Sequence, residues 1–389
     1  MSEPIYLDYQ ATTPLAPEAF AAMAPWLKDN FWNPHSAHVG GRKAAAAVEV
    51  AREQVAALLP AGGRVIFTSG ATEAINLAIK GCGLPVSAMA TEHAAVLDCV
   101  EFLGGKILPE LASGRGTVRR SVAKEDGGGA AGVSTPAALS APPSSDASAP
   151  AATSPSKLGE DLVCAMLINN EIGTIQPIAE ITETVHAQNG LLLCDAVQAY
   201  GRIPIPIGPD FIAISAHKIH GPKGIGALWV RDGIRLAPLI HGGGQEQGLR
   251  SGTLSPALCA GFGATAKLAA KRMRADAAHV ESLWNRATEL FTDWTVNGST
   301  AHRYKGNFNI RRDGIDVARL MSECREVMFS AGSACASGSG RPSHVLRAIG
   351  LSDAQAKSSI RLGWGRYTTM EEIERAAELI NAAAERQLA

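Results

Sequence analysis

The sequence predicts an α/β fold in which helices cover both faces of a largely parallel sheet. Short apolar runs alternate with Ala-rich segments of helical composition up to about residue 255. Such an alternation is typical of strands joined by crossover helices, which together build a parallel sheet. Beyond that point the chain changes to longer charged helices around a few strand-like runs. This change indicates a second, smaller α+β domain.

Each element is predicted from its local pattern. Buried strands are expected where the runs are short and apolar, namely 64–68, 162–168, 191–194, 211–215 and 227–230. Helices are expected where Ala-rich or charged segments have helical spacing, namely 40–59, 74–80, 178–188, 257–289 and 370–387. We expect a large domain over 15–255 and a small domain built from 1–14 and 256–389.

Length and composition restrict the class of protein. A chain of 389 residues with 46% apolar content can bury a large core. Its 36 basic and 37 acidic side chains nearly cancel, so nucleic-acid binding is not expected. No apolar run approaches membrane-spanning length and no targeting signal precedes the first elements, so we expect a cytoplasmic protein that does not bind a membrane. The seven cysteines include no Cys-x-x-Cys pair, which argues against a disulfide framework or a structural zinc site.

One segment, 125–157, departs from this pattern. It consists mostly of Gly, Ala, Ser and Pro, with almost no large apolar side chain. Such a composition cannot offset its ordering entropy by burial, so the segment is predicted to be a disordered surface insertion. A binding role in a polyproline II conformation is the alternative.

The most informative segment is the strand 211–215 with the Gly-rich turn that follows it. The strand delivers Ser215, His217 and Lys218 to its end. A lysine held where the chain leaves a sheet can be partly desolvated, which lowers its pKa and frees its amine to form a Schiff base with an aldehyde. Taken alone, the motif favours an ordinary surface lysine after a strand, so the functional interpretation depends on the other motifs.

Other polar residues also follow predicted strands. The turn that contains Gly70, Ala71 and Thr72 could present backbone N–H groups and a helix N-terminus to a phosphate, although N-capping by Ser69 or Thr72 explains the same pattern. Asp195 could pair with a cationic ring nitrogen or cap the next segment.

Two further candidates are open to a functional and a structural interpretation. His93 could stack on a flat ring or be a satisfied, partly buried residue. The amides of Asn169 and Asn170 could bind a ligand or form a turn.

Together these motifs resemble the cysteine desulfurases of the NifS/IscS type. This family consists of pyridoxal 5'-phosphate (PLP) enzymes of the class V aminotransferase group, with the PLP-dependent transferase fold type I. The resemblance extends over nearly the whole chain. The motifs that carry it are YLDYQATTP (6–14), FTSGATE (67–73), TEH (91–93), NNEIG (169–173), SAHKIHGPKGIG (215–226), HGGGQE (241–246), RSGT (250–253), GSAC (332–335) and SIR (359–361).

The resemblance implies a role for each matching residue. Lys218 would hold the cofactor and move the substrate Cα proton, Asp195 would keep the pyridine nitrogen protonated, and Gln198 would bond the phenolic oxygen. His93 would stack on the ring and assist proton transfer as a catalytic residue. The phosphate would be bound by Gly70, Ala71, Thr72, Ser215 and His217, together with Thr253 from the other subunit of a homodimer. Asn170 and Arg361 would bind the substrate carboxylate, for which a guanidinium is well shaped.

Cys335 lies in the Gly/Ser-rich segment 330–342, which is predicted to be a flexible loop. By itself this thiol would be read as an inert small residue. The resemblance instead implies that it attacks the sulfur of L-cysteine, releases L-alanine and carries a persulfide to an acceptor protein for iron–sulfur cluster assembly or thiolation. No resident metal is expected, although transient contact of Cys335 with an iron–sulfur cluster is compatible with the resemblance.

Two other kinds of protein are alternatives. The first is a selenocysteine lyase or a small-amino-acid aminotransferase of the same fold. The second is a sulfur-trafficking scaffold without catalysis.

Overall fold

The computed structural model describes residues 4–108, 161–332 and 342–389. The predicted insertion 125–157 and Cys335 therefore lie outside the described residues. The helices are α1 (Pro17–Lys28), α2 (Val39–Ala56), α3 (Ala71–Gly81), α4 (Ala94–Phe102), α5 (Ile178–His186), α6 (Pro256–Leu290), α7 (Val317–Glu323), α8 (His344–Ala348), α9 (Asp353–Lys357) and α10 (Met370–Leu388). Within the described ranges, no helix is both long enough and apolar enough to cross a membrane.

Thirteen strands are found in the described part of the chain. They are β1 (Ile5–Tyr6), β2 (Gly63–Thr68), β3 (Val86–Met89), β4 (Lys106–Leu108), β5 (Leu162–Met166), β6 (Leu191–Asp195), β7 (Phe211–Ser215), β8 (Gly226–Arg231), β9 (Thr295–Val296), β10 (Asn307–Arg311), β11 (Val327–Met328), β12 (Ser330–Ala331) and β13 (Ser359–Gly363). The predicted α/β class is confirmed.

The central sheet has seven strands in the order β2-β8-β7-β6-β5-β3-β4. β8 pairs antiparallel with both of its neighbours, and the other pairs are parallel. Because β6 and β7 are parallel neighbours, their last residues, Asp195 and Ser215, reach the same edge of the sheet. This is the edge at which open α/β sheets bind ligands.

Both faces of the central sheet are buried, which explains why its strands are almost continuously apolar. Along β7, Ile212 and Ile214 join one hydrophobic core, whereas Phe211 and Ala213 join the core on the other face. Successive side chains of a strand point to opposite faces, so a strand covered on both sides must be apolar at every position.

A separate core lies around the four-stranded sheet β12-β13-β10-β9, where Trp284, Phe308 and Trp364 pack together. Helix α6 belongs to both cores. Its first half packs Phe262 against the central sheet, and its second half packs Trp284 into the smaller core. We therefore propose that the chain forms two domains connected by α6, which begins at the predicted domain boundary.

The first prediction concerns the fully buried Tyr200. Its hydroxyl donates a 2.7 Å hydrogen bond to the carbonyl oxygen of Val55, near the end of α2, where helical carbonyls have no partner within the helix. Substitution Tyr200→Phe should lower the free energy of unfolding by about 1–3 kcal/mol, because it leaves this carbonyl unsatisfied. Urea denaturation measures the loss. The control Tyr367→Phe removes a hydroxyl from a ring that is 41% exposed, and an equal loss there would contradict the account.

Candidate active site

A cavity of about 600 Å3 lies at the carboxyl edge of the central sheet, where β2, β5, β6 and β7 end. Eleven of the site residues predicted from the sequence line it: Gly70, Ala71, Thr72, His93, Asn170, Asp195, Gln198, Ser215, His217, Lys218 and Arg361. The topology of the sheet therefore brings together side chains that are almost 300 residues apart in the sequence.

Lys218 ends a short 3-10 turn, Ala216–Lys218, directly after β7. Its Nζ donates to the main-chain oxygens of Gln10 at 2.6 Å and Ala11 at 2.7 Å. Burial lowers the pKa of this amine to about 8, and the positive charges of Arg202 and Arg361 act in the same direction. An amine with this pKa is partly neutral at physiological pH and can act as a nucleophile or a base.

Asp195 is the last residue of β6 and is only 4% exposed. One carboxylate oxygen accepts a 2.9 Å hydrogen bond from the Val197 N–H, and the residue forms no ion pair in the described part of the chain. Burial raises the pKa of this carboxyl, against the opposing effects of the Val197 N–H, His93 and Lys218. A cationic N–H group placed against Asp195 would offset the cost of burying its charge.

The turn between β2 and α3 has the features of a phosphate site. The N-cap of α3 is Gly70, which offers no side-chain cap, so the alternative of N-capping by Ser69 or Thr72 is not what the structure shows. The first N–H groups of a helix need an external partner, and the positive end of the helix favours an anion. Gly226 lets β8 pass close to this turn, because a Cβ there would lie 2.8 Å from the Gly70 Cα.

Ser215 and His217 line the cavity beside this turn. The imidazole Nδ1 of His217 lies 3.1 Å from the Thr12 hydroxyl oxygen. Burial lowers the pKa of His217 to about 4, with further contributions from Lys218 and Lys223. The ring is therefore neutral at physiological pH and would bind a phosphate through a hydrogen bond rather than through charge.

Arg361, on β13, brings the smaller sheet to the cavity and is 1% exposed. Its guanidinium donates to Asp8 Oδ1 at 2.7 Å and to the main-chain oxygen of Asn170 at 3.1 Å. Its buried Nε has no hydrogen-bond partner in the described part of the chain. A buried guanidinium with an unused donor is suited to a carboxylate.

The two adjacent asparagines have different roles in the structure. Asn169 forms the turn, because its Oδ1 accepts the N–H groups of Glu171 and Ile172. Asn170 lines the cavity. The ligand interpretation therefore concerns Asn170, and the turn interpretation concerns Asn169.

His93 combines both interpretations that the sequence left open. Its Nδ1 accepts a 3.0 Å hydrogen bond from the Ala95 N–H and so caps α4, while the ring also lines the cavity. Burial lowers the pKa of this imidazole. A neutral ring whose Nδ1 accepts a hydrogen bond carries its proton on Nε2.

Two predicted residues do not join this group. Thr253 is exposed and is absent from the lining of the cavity of its own subunit. Cys335 belongs to the undescribed segment. Sequence reasoning also gave no role to Gln10, Thr12 and Lys223, which line the cavity. The motif 6–14 was the available signal for the first two, but Gln10 contacts Lys218 through a main-chain oxygen, which a side-chain pattern does not reveal.

The residues present fit PLP. The uncapped turn at Gly70 suits its phosphate, the buried carboxylate of Asp195 suits its ring nitrogen, and Lys218 lines the same cavity with an amine of lowered pKa.

The second prediction concerns the Lys218 amine. In protein stripped of cofactor, reductive methylation of Lys218 should rise with a midpoint near pH 8, because only the neutral amine reacts. Peptides that carry exposed lysines serve as internal controls in the same digest, and mass spectrometry measures both. Labelling of Lys218 that follows the exposed lysines, whose ordinary pKa is about 10.4, would contradict the lowered value.

Comparison with known proteins gives the same family as the motifs. The class-V aminotransferase family model matches residues 5–111 and 154–376, and the break between them overlaps the predicted insertion. The cysteine desulfurase IscS of Rickettsia typhi is 38% identical over 97% of this chain and 90% of its own length. A solved NifS-like protein from Rickettsia africae has a TM-score of 0.82 at 27% identity and covers 98% of this chain and 100% of its own. A structure described as SspA in complex with cysteine has a TM-score of 0.73 at 32% identity and covers 94% of this chain and 99% of its own.

These matches extend over nearly the whole chain and agree with the geometry of the cavity. The chain therefore belongs to the class-V aminotransferase family, in the group of cysteine desulfurases of the NifS/IscS type.

Proposed function

We propose that this protein is a PLP-dependent cysteine desulfurase, which converts L-cysteine to L-alanine and transfers the sulfur to its own Cys335. The observation that supports this most strongly is the buried amine of Lys218, which lines the same cavity as the carboxylate of Asp195 and the uncapped turn at Gly70. The relatives named cysteine desulfurase and the solved SspA, described as a complex with cysteine, favour the same substrate.

When bound, PLP supplies an aldehyde that joins an amine and a ring that accepts the electron pair left at the substrate Cα. Lys218 would hold the cofactor in the absence of substrate. With substrate bound, the Lys218 Nζ would remove the Cα proton and return it. Its pKa of about 8 suits both directions near neutral pH.

Other residues of the cavity bind and orient the cofactor and substrate. The carboxylate of Asp195 would keep the ring nitrogen protonated, Gln198 would bond the phenolic oxygen, and the neutral ring of His93 would stack on the ring and assist proton transfer. Arg361 and Asn170 bind the substrate carboxylate. The unused Nε of Arg361 supports this assignment, because a carboxylate would satisfy it.

Cys335 is the nucleophile in this proposal. The other cysteines of the chain are poorly suited to attack a substrate in the cavity, for two reasons. Burial raises the pKa of every one of the other cysteines, namely Cys82, Cys99, Cys164, Cys194, Cys259 and Cys324. None of these six lines the cavity. A raised pKa disfavours the thiolate, which is the reactive form.

The sulfur transfer balances without an external oxidant. The Cys335 thiolate forms an S–S bond to the substrate sulfur while the substrate C–S bond breaks, and the electron pair of that bond remains on carbon. One proton then converts the CH2 group to the CH3 group of alanine. Cys335 is left as a persulfide, whose outer sulfur passes to an acceptor protein for iron–sulfur cluster assembly or thiolation.

The proposal includes a homodimer that works in the cytoplasm. Thr253 is exposed and lies outside the cavity of its own subunit, which supports a role in the phosphate site of a second copy. The six described cysteines are unpaired thiols, as is usual in a reducing compartment.

The third prediction separates the roles of the thiol and the amine. With L-cysteine, the variant Cys335→Ser should keep the visible absorbance of bound PLP but form no protein persulfide, and its alanine release should fall at least about 100-fold. Lys218→Ala should lose the absorbance of the covalently held cofactor. Cys82→Ser, which changes a partly buried thiol outside the cavity, is the matched control.

Mass-mapped persulfide and alanine release measure these effects. A persulfide on any residue in Cys335→Ser would show that another thiol is the nucleophile. Alanine release unchanged in that variant would favour a selenocysteine lyase or an aminotransferase, and protein that takes up no PLP would favour the scaffold.

The fourth prediction tests the shared site. Thr253→Asp should weaken PLP binding about tenfold or more in both sites of a dimer, because its charge repels the phosphate. Hybrids of Thr253→Asp and Lys218→Ala subunits should regain one site of normal affinity, in which Lys218 and Thr253 come from different subunits. Borohydride-reducible PLP per dimer measures this recovery, and light scattering checks the mass. Hybrids without recovery, or a monomeric protein, would contradict the shared site.

A further inference from the structure

Arg202 lies behind the cavity, outside the set of residues to which the motifs gave a role. Its Nη1 donates to the side-chain oxygen of Gln198 at 2.7 Å and to the main-chain oxygen of the same residue at 3.2 Å. Its Nη2 donates to the main-chain oxygen of Lys218 at 2.7 Å, and its guanidinium carbon lies 5.2 Å from the centre of the Tyr304 ring. One planar side chain therefore holds two residues of the cofactor site.

The contact with Gln198 fixes the orientation of a buried carboxamide. A guanidinium has only donors, so the group that faces it must be the amide oxygen. The amide nitrogen then points the other way, and one of its N–H groups donates to the main-chain oxygen of Gln10 at 3.0 Å. The second N–H remains for the cavity, which Gln198 lines. If the carboxamide were rotated by 180°, its NH2 group would face the N–H groups of Arg202, and no hydrogen bond could form between them.

The contact with the main-chain oxygen of Lys218 places the positive charge of Arg202 near the amine. All three oxygens that Arg202 contacts are neutral carbonyl groups, and Arg202 forms no ion pair in the described part of the chain. After burial, Arg202 is the strongest influence that lowers the pKa of Lys218. The other charged or titratable groups that act on this amine, or line a second cavity with Lys218 and Arg202, are Arg361, Asp195, Asp8, His93, His217, His220, Tyr9, Tyr304, Asp276 and Arg366.

We propose that Arg202 is a positioning residue that locks the Gln198 carboxamide with its N–H toward the cofactor and holds the Lys218 backbone in place. Its positive charge, which has no ion-pair partner among the described residues, also favours the neutral form of the Lys218 amine. This inference rests on the proposed function, because it assumes that PLP occupies the cavity.

The fifth prediction compares two substitutions of Arg202. Arg202→Met removes the charge and all three hydrogen bonds, whereas Arg202→Lys keeps the charge but cannot hold two residues in a planar fork. The matched control is Arg64→Met. Arg64 is also a partly buried arginine that donates to a main-chain oxygen and forms no ion pair among the described residues, and it lies at the far end of β2.

The first readout is the pH dependence of the rate at which protein stripped of cofactor forms its Schiff base with added PLP. Only the neutral amine reacts, so the rate rises with pH through the pKa of Lys218. In Arg202→Met the profile should move to higher pH, and the rate at pH 7 should fall about five- to tenfold. Arg202→Lys should keep the profile of the unchanged protein, and so should Arg64→Met.

The second readout is a double-mutant cycle on PLP affinity. Arg202→Lys should weaken binding about two- to tenfold, the usual effect of a lost hydrogen bond. The same substitution in a Gln198→Ala background should have a clearly smaller effect, because the contact with the Gln198 carboxamide is already lost and only the contact with the Lys218 main-chain oxygen remains. A residue that only stabilises the fold would weaken binding equally in both backgrounds.

An unshifted profile in Arg202→Met together with additive effects in the cycle would overturn the proposal. If Arg202→Met does not fold, as thermal unfolding would reveal, the cycle with Arg202→Lys decides alone. Failure of the proposed function is distinguishable, because the unchanged protein would then form no Schiff base with PLP at any pH.

Discussion

The burial of one amine is the constraint on which the rest of the site depends. Lys218 follows the end of a central strand, and among the described residues its Nζ donates hydrogen bonds only to the carbonyl oxygens of Gln10 and Ala11 and forms no ion pair with a carboxylate. Desolvation and the cations nearby favour the neutral form, while the buried carboxylate of Asp195 opposes them. The balance leaves the amine reactive near neutral pH, which an exposed lysine is not.

Much of the fold could be predicted because its strands are buried on both faces and stand out as apolar runs. The direction of β8 could not be predicted this way, because a strand that is apolar at every position has the same pattern in either direction. The predicted strand 162–168 ends at Met166, since Ile168 leaves the sheet to form an isolated bridge with Ile175. Helices α1, α4, α7, α8 and α9 were also not predicted, although the boundaries of α6 were predicted to within one residue.

The residues of the candidate site could be predicted where they lie at or just after the end of a strand. Asp195, Ser215 and Lys218 each come at or just after the end of a parallel strand, and the topology alone brings them to one edge. Residues that act through main-chain or carbonyl oxygens show no such pattern in the sequence. Gln10 contributes a main-chain oxygen, and Arg202 contacts three carbonyl groups, so neither belongs to a side-chain pattern that a sequence displays.

The central claim is that Lys218 is the amine that holds PLP. Reduction of the PLP-loaded protein with borohydride, followed by peptide mass mapping, tests it most directly, because reduction makes the bond between amine and cofactor permanent. The account predicts a pyridoxyl group on Lys218. A pyridoxyl group on Lys223, the other lysine that lines the cavity, or on a lysine elsewhere in the chain, would contradict it.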